Sequence, residues 1–240
     1  MIKQSNILSI PENIEAPLWR YMSIEKLESL LKENALYFRR ADLFEDPLEG
    51  NQSKATLDYR PKFFEGAKDS WIHKTMPMID ARVRKCVYVN CWHNNKSESG
   101  DMWDAYTKDN KGIAIKSSLN RIRNAIIDKE REFFLSPVNY IDFEKDYTSD
   151  ANSFHAFFYK DKSFFNEREF RFAFIQNFEH ISKDEFDSLH FEEGVFIPVD
   201  ANLLIEKVII SPHTKARDIK VIKKLLKSCK LSRRMELPTK

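Results

Sequence analysis

Glycine is scarce in this sequence, with only 5 Gly among 240 residues. So few glycines leave little room for a loop that wraps a phosphate in backbone N–H groups. Neither GxGxxG nor GxxxxGK[ST] occurs. The sequence therefore disfavours a Rossmann-type dinucleotide site and a P-loop.

Cysteine is also scarce, and Cys86, Cys91 and Cys229 form no CxxC pair. An odd number of unpaired cysteines is typical of a reducing compartment and not of a disulfide framework, so we expect a cytoplasmic protein. The 6 His residues are scattered, without HExxH or a His/Cys cluster at zinc-ligand spacing. We therefore expect no metal cofactor.

Long apolar runs and a large net charge are both missing. No run approaches 18 apolar residues and no apolar signal core follows Lys3, so we expect no membrane partner. The net charge is only +2, so any surface for an anionic partner must be local.

The composition is that of a globular chain, with 42% hydrophobic and 32% charged residues. We expect one domain over residues 1–240 with a basic C-terminal helix at about 218–230. An apolar stripe along this helix is surrounded by lysines: Lys220, Lys223, Lys224, Lys227 and Lys230. Such a helix can contact phosphates or a membrane surface, although it more commonly packs its stripe on the core.

The segment Glu167–Phe174 has the strongest pattern in the chain, since alternation predicts a strand with two different faces. One face is aromatic: Phe170, Phe172 and Phe174. The other face carries three charges: Glu167, Glu169 and Arg171. A strand buried through its aromatic face can hold these charges rigidly as an electrostatic site. The alternative is a solvent-facing ladder of salt bridges, which contributes little.

The first part of the chain predicts a strand–helix–strand unit. Leu18–Met22 and Ala35–Arg39 have strand character, with a helical stripe of Ile and Leu between them. Ser23 is the predicted N-cap and Asn34 the stop. Four carboxylates then crowd into residues 42–50, where Pro47 and a glycine predict a turn. We interpret these carboxylates as a solvated turn in preference to a cation site, because no EF-hand spacing is present.

Four stretches along the chain form a recognisable series. They are Arg20-Tyr21 before the helix, Asp46-Pro47-Leu48-Glu49, Met102–Tyr106 before a predicted strand at Gly112–Ile115, and Lys162 with Glu167–Arg171. In this order, over about residues 18–211, they resemble a bacterial family known as a domain of unknown function. Glu45 stands where that family usually has Asn. The resemblance implies no biochemistry by itself.

A second resemblance is to the fold of ADP-ribosyltransferases. These enzymes have an Arg or His on a first strand, a Ser, Thr or Tyr in the middle, and a Glu, often in Glu-x-Glu, opening a late strand. This chain is similar in layout, with Arg20, Tyr106 and Glu167-x-Glu169. It lacks the Ser-Thr-Ser pattern of one branch, which leaves the role of Tyr106 open. The resemblance implies an α+β fold with a mixed, split β-sheet core and peripheral helices.

This resemblance also implies a function, an NAD-dependent ADP-ribosyltransferase with NAD as substrate. The acceptor would be a protein or a nucleic acid. By family analogy the protein would be a toxin or phage-defence effector, with an antitoxin as neutralising partner. The implied catalytic residues are Glu169, Glu167 and Tyr106. The implied NAD-binding residues are Arg20, Tyr21, Trp103 and Arg171.

Each implied role suits its residue type. Glu169 would stabilise an oxocarbenium-like ribose centre, and Glu167 would orient or deprotonate the acceptor. Arg20 would hold the pyrophosphate through its planar fork. Tyr106 or Trp103 would stack on nicotinamide. Arg171 would hold the two glutamates in place.

Two other functions remain open from the residues alone. One is a non-enzymatic module that binds nucleic acid or protein through its charged face and basic tail. The other is a metal-dependent nuclease that uses four carboxylates: Asp46, Glu49, Glu167 and Glu169.

Overall fold

The protein is described by a computed structural model that covers residues 2–3, 11–69, 71–107, 112–150, 152–176 and 183–237. In these ranges the strands are β1 (Ile2–Lys3), β2 (Pro17–Met22), β3 (Ala35–Arg40), β4 (Val87–Asn94), β5 (Ile113–Ser118), β6 (Phe133–Pro137), β7 (Asn139–Ile141), β8 (Tyr159–Asp161), β9 (Glu169–Ile175), β10 (Gly194–Pro198), β11 (Lys207–Ile210) and β12 (Met235–Glu236). The helices are α1 (Ile24–Glu33), α2 (Lys54–Phe63), α3 (Met76–Cys86), α4 (Gly100–Tyr106), α5 (Leu119–Ala125), α6 (Lys183–Ser188), α7 (Ala201–Leu204) and α8 (Ala216–Ser228). Short 3-10 helices include Ser153–Phe158 and Lys162–Glu167.

These elements form a mixed α+β structure around a large, open, mixed sheet, as predicted at that level. The strands follow the order β1-β6-β9-β4-β2-β5-β11-β12, with β3 between β4 and β10, and β7 pairs with β8 separately. Most neighbours are antiparallel, whereas β1 with β6, β11 with β12 and β7 with β8 are parallel. Across the described ranges, no helix combines the length and the apolar character needed to span a bilayer.

The predicted strand–helix–strand opening is confirmed by β2, α1 and β3. Ser23 caps α1, because its hydroxyl accepts a hydrogen bond from the Lys26 N–H at 3.4 Å. Asn34 ends the helix in the left-handed conformation at φ 47°, which Asn tolerates better than most residues. The caps and the apolar stripe thus act together to connect β2 and β3, which both pair with β4.

The aromatic face of β9 is buried, as expected. β9 lies in the interior of the sheet between β6 and β4, and Phe170 and Phe172 are completely inaccessible to solvent. They share one core cluster with Leu27 of α1 and Ile222 of α8. The C-terminal helix therefore packs its apolar stripe on the core, at Ala216–Ser228 instead of 218–230.

Two expectations about the charged face of β9 are wrong. The strand begins at Glu169, because Arg168 adopts a left-handed conformation at φ 39° and Glu167 ends a 3-10 helix. Glu167 therefore does not share the strand's alternation. The interpretation of this face as a solvent-facing ladder of salt bridges is also wrong, since Glu169 is 7% exposed and Arg171 is 0% exposed.

Candidate active site

The large sheet divides along β4, because this strand has different partners at its two ends. Trp19 of β2 pairs with His93, whereas Arg39 of β3 pairs with Val89. Within the described chain, residues 90–92 of β4 pair with neither β2 nor β3 on that side. The resulting space between β2 and β3, bridged by α1, is called the sheet gap below.

Side chains replace the missing ladder bonds in the sheet gap. The Asn90 amide donates to the carbonyl of Tyr37 at 2.8 Å, and Arg20 Nη1 donates to the carbonyl of Cys91 at 2.7 Å. Trp92 Nε1 donates to Asn90 Oδ1 at 2.7 Å, which fixes the orientation of that amide. Two backbone carbonyls at the gap are thereby satisfied without closing it.

A cavity of about 450 Å³ fills the sheet gap. This size lies within the range of small-molecule sites, roughly 300–1,000 Å³. Five of the residues predicted from the sequence line it: Arg20, Tyr21, Tyr106, Glu167 and Glu169. The other two, Trp103 and Arg171, do not line it. The convergence of Arg20, Tyr106 and Glu169 on one cleft is therefore confirmed as a matter of geometry.

The aromatic residues of α4 divide between core and cavity. Trp103 packs edge-on against Tyr21 at 4.9 Å between ring centroids, and its indole N–H donates to Glu98 at 3.0 Å. Trp103 is thus occupied within the core, and a stacking role for it is not supported. Tyr106, at the end of α4, is 48% exposed and borders the cavity. Tyr106 is the aromatic side chain of α4 that a ligand could stack on.

Arg171 and Lys160 hold Glu169 between them at the base of the cavity. Arg171 Nε donates to Glu169 Oε2 at 2.7 Å, and Lys160 Nζ donates to Glu169 Oε1 at 2.8 Å. The same ammonium donates to Glu167 Oε2 at 2.5 Å. Lys160 therefore bridges the two glutamates, and Arg171 contacts only one of them. The expectation that Arg171 holds both glutamates is wrong for Glu167.

Glu49 is a second carboxylate partner of Arg171. Arg171 Nη2 donates to Glu49 Oε2 at 3.0 Å, Nη1 donates to the other oxygen, and Nη1 also reaches the carbonyl of Phe157 at 2.6 Å. Glu49 is 5% exposed, so the prediction that it belongs to a solvated turn is wrong. The charge cluster, as we name it, comprises Glu49, Lys160, Glu167, Glu169 and Arg171.

The two glutamates that face the cavity differ in protonation. Burial alone would raise the pKa of Glu169, but the charge and hydrogen bonds of Arg171, helped by Lys160, hold this pKa well below its usual range. For Glu167, burial and a hydrogen bond with the Glu169 carboxylate raise the pKa from 4.5 to about 7, against the opposing effect of Lys160. Near neutral pH, Glu169 is a fixed anion and Glu167 exchanges a proton.

His93 and Cys91 of β4 also line the cavity. His93 Nδ1 lies 2.7 Å from the carbonyl of Glu167. Because a carbonyl can only accept, Nδ1 carries the hydrogen and donates it. This bond holds the turn that presents Glu167, and burial lowers the pKa of His93, which favours the neutral ring. Burial likewise raises the pKa of Cys91 well above its usual value, so this thiol is not an activated nucleophile.

Lys160 and His93 are site residues that the sequence analysis missed. Lys160 lies on β8, beside the motif lysine Lys162, which instead pairs with Asp142 at 2.8 Å on the surface. His93 lies opposite Glu169 in the pairing of β4 with β9. Only the register of β4 against β9 brings His93 close to Glu169, and only the placement of β8 brings Lys160 there. No local signal in the sequence could have identified Lys160 or His93.

The carboxylates proposed for a nuclease do not form an open metal site. Glu49 and Glu169 are each paired with Arg171, and Asp46 accepts a hydrogen bond from the N–H of Leu48 at 2.9 Å. Among the described residues, no group of three or more His, Cys, Asp or Glu is arranged to hold a metal ion.

Comparison with known proteins identifies no relative, since neither a family model nor a curated protein matches this sequence. Both resemblances described above therefore stay predictions.

Proposed function

We propose that the protein is an NAD-dependent ADP-ribosyltransferase with its active site in the sheet gap. The observation that carries this proposal is the convergence of Arg20, Tyr106 and Glu169 on one cavity from distant parts of the chain. Their order and residue types are those that the resemblance implied. Cleavage of the nicotinamide–ribose bond needs a fixed anion, an aromatic surface and a cation for phosphate, and all three kinds of group line the cavity.

Glu169 is suited to stabilise a cationic ribosyl centre. Its position is set by bonds to Arg171 and Lys160, so it requires no reorganisation during the reaction. The positive charges of Arg171 and Lys160 also offset part of the negative charge of Glu169. A second negative charge, on Glu167, would therefore strengthen the stabilisation of the ribosyl cation. Ionisation of Glu167 adds one negative charge to the charge cluster beside Glu169.

Glu167 is suited to accept the proton of the attacking group. A general base works best when its pKa lies near the working pH, and the pKa of Glu167 is raised to about 7. Arg20 lines the other wall of the cavity, where its guanidinium could bind the pyrophosphate. Tyr106 would stack on the nicotinamide ring. The acceptor is a protein or a nucleic acid.

The decisive experiment compares Glu169→Gln with Glu49→Gln in an assay of nicotinamide release from NAD. Both variants remove one carboxylate from Arg171, but only Glu169 reaches the cavity. We expect Glu169→Gln to lower turnover by roughly two to three orders of magnitude, as for loss of a preorganised electrostatic group. Glu49→Gln should lower turnover much less.

Stability must be measured for both variants, because each leaves Arg171 short of a buried partner. Breaking a buried ion pair typically costs about 3–5 kcal/mol, so neither variant will be as stable as the parent. Assays below both unfolding temperatures separate this effect from catalysis. Equal loss of turnover in the two variants, or a Glu169→Gln protein that consumes NAD at the parent rate, refutes the catalytic assignment.

A further inference from the structure

Positive charge is concentrated at the C-terminal end of the chain. Residues 215–234 contain nine Lys and Arg against a single Asp, a net charge of +8. The whole chain carries +2, so the remaining 220 residues carry −6. The net positive charge of the chain therefore comes from this segment, on and around α8.

Five cations form a stripe along the exposed side of α8. They are Arg217, Lys220, Lys223, Lys224 and Lys227, all exposed to solvent. At 3.6 residues per turn these positions fall within about 120° of the helix circumference and extend over ~15 Å. Arg217 pairs with Asp218 at 3.6 Å, while the four lysines have no ion-pair partner within the described part of the chain. This set is called the α8 stripe below.

The α8 stripe repels itself. Lys220 is followed three and four residues later by Lys223 and Lys224. Lys227 in turn lies four residues after Lys223 and three after Lys224. Like charges at these spacings destabilise a helix. A bound polyanion would remove this repulsion, and duplex DNA offers about one negative charge per 1.7 Å of its axis.

The opposite side of α8 argues against a membrane surface as the partner. Helices that lie on membranes insert their apolar face among the lipids. On α8 that face is already used, because Ile222 and Leu226 are completely buried in the protein core. Only the cationic side is available, and its complement is a dense array of phosphates.

We infer that the α8 stripe is a docking surface for the phosphodiester backbone of nucleic acid, without sequence preference. The stripe presents five charges in a row of ~15 Å, and four of them are Lys ammonium groups, which act as point charges on phosphates. Contacts to phosphates carry no sequence information. This inference does not rest on the proposed function, because the binding is independent of NAD.

The test measures fluorescence anisotropy of labelled 20-nucleotide single-stranded RNA and 20-base-pair DNA, without NAD, at 25 to 200 mM NaCl. The key variant is Lys220/Lys224/Lys227→Gln, and the matched control is Lys68/Lys74/Lys85→Gln. All six lysines are exposed, so both variants change the net charge equally without opening the core. Circular dichroism verifies that each retains its helix content.

We expect the parent to bind at least one of the two probes, with an affinity that falls steeply as salt rises. Each lost phosphate contact reduces the slope of log K against log salt by about 0.7–0.9, so the key variant should lose about 2–3 units of slope. Its affinity at 50 mM NaCl should fall at least tenfold, and the control should change less than threefold.

Other outcomes overturn the inference. Equal weakening in the two variants shows that overall charge is responsible and not the α8 stripe. Absence of binding to both probes at 25 mM NaCl rejects a nucleic-acid surface. Tighter binding to phosphatidylserine vesicles than to either probe, lost in the key variant, assigns the stripe to a membrane instead.

Discussion

At the scale of single residues, two glutamates two positions apart in the sequence have been given opposite properties by their neighbours. Glu169 is surrounded by Arg171 and Lys160 and stays ionised. Glu167 contacts Lys160 and the Glu169 carboxylate, and its pKa is raised to about 7. Pairs of carboxylates whose environments separate their pKa values are typical of sites that use one as an acid or base and the other as a fixed charge.

The first prediction concerns the pH dependence of activity. A cationic ribosyl centre is better stabilised when Glu167 is ionised, because this adds a negative charge beside Glu169. We therefore expect kcat/KM for NAD cleavage to rise with pH through an apparent pKa of about 7. Measuring the profile from pH 5 to 9 in the parent and in Glu167→Gln tests this. The inflection near 7 should be missing in the variant, and its persistence there assigns the titration to another group.

The second prediction concerns stability and holds whatever the function is. The pKa of Glu167 is raised from 4.5 to about 7 by folding, so the folded state holds this proton more tightly than the unfolded state. The resulting stabilisation is complete below pH 4.5 and is lost as pH rises to about 7. Relative to the parent, Glu167→Gln should therefore gain unfolding free energy between pH 5 and pH 8.

Urea unfolding at pH 5, 6, 7 and 8 measures this difference. Glu33→Gln is the control, because it removes an exposed carboxylate at the end of α1. A difference between Glu167→Gln and the parent that stays constant over this range contradicts the assigned pKa.

At the scale of elements, the loop at residues 46–50 determines how the charge cluster is assembled. Glu49 projects from this loop onto Arg171, and the next residue, Gly50, has a left-handed backbone at φ 67°. A Cβ on Gly50 would lie 2.2 Å from Cε1 of Phe157, the residue whose carbonyl also accepts from Arg171. Glycine is thus required at position 50 for two reasons, the backbone conformation and the close approach.

The third prediction separates these two reasons. Gly50→Ala and Gly66→Ala both place a Cβ on a left-handed residue, but nothing lies within 4 Å of the Cβ position at Gly66. Gly66→Ala should therefore cost about 1–2 kcal/mol of unfolding free energy, the usual strain for this conformation. Gly50→Ala should cost at least about 2 kcal/mol more, because Phe157 must move as well. Equal costs in chemical denaturation would show that the loop yields without disturbing Phe157.

At the scale of the whole molecule, the sheet gap is what allows a core sheet to hold a ligand site. β2 and β3 pair with different parts of β4, near His93 and near Val89, and α1 connects the two strands. A ligand in the cavity would touch several elements that are far apart in the sequence. Binding there should therefore stabilise the fold as a unit.

The fourth prediction is a shift of the unfolding temperature by NAD. A ligand at 100 times its Kd stabilises the folded state by about 2.7 kcal/mol, which for a chain of this size raises Tm by about 5–10 °C. ATP is the control, since it lacks the nicotinamide riboside, and Tyr106→Ala should reduce the NAD shift. No shift at millimolar NAD, or an equal shift with ATP, contradicts an NAD site. Mg²⁺ or Mn²⁺ in the same assay tests the nuclease alternative.

Local features of the fold were determined by the sequence itself. The caps Ser23 and Asn34 act within one helical turn, and the alternation of Phe170 and Phe172 follows from strand geometry, so both could be predicted without tertiary contacts. The apolar stripe of α8 likewise predicted which side packs on the core. In each case the physical cause lies within a few residues of its effect.

The charge cluster was decided only by the tertiary structure. Glu49 and Arg171 are 122 residues apart, and nothing in the local pattern indicates that this acidic residue leaves the solvated turn to pair with a buried guanidinium. Lys160 and His93 reach the cavity through the placement of β8 and the register of β4 against β9. Long-range pairing and burial set these contacts and the protonation of Glu167, because desolvation and partner charges exist only after the strands have assembled.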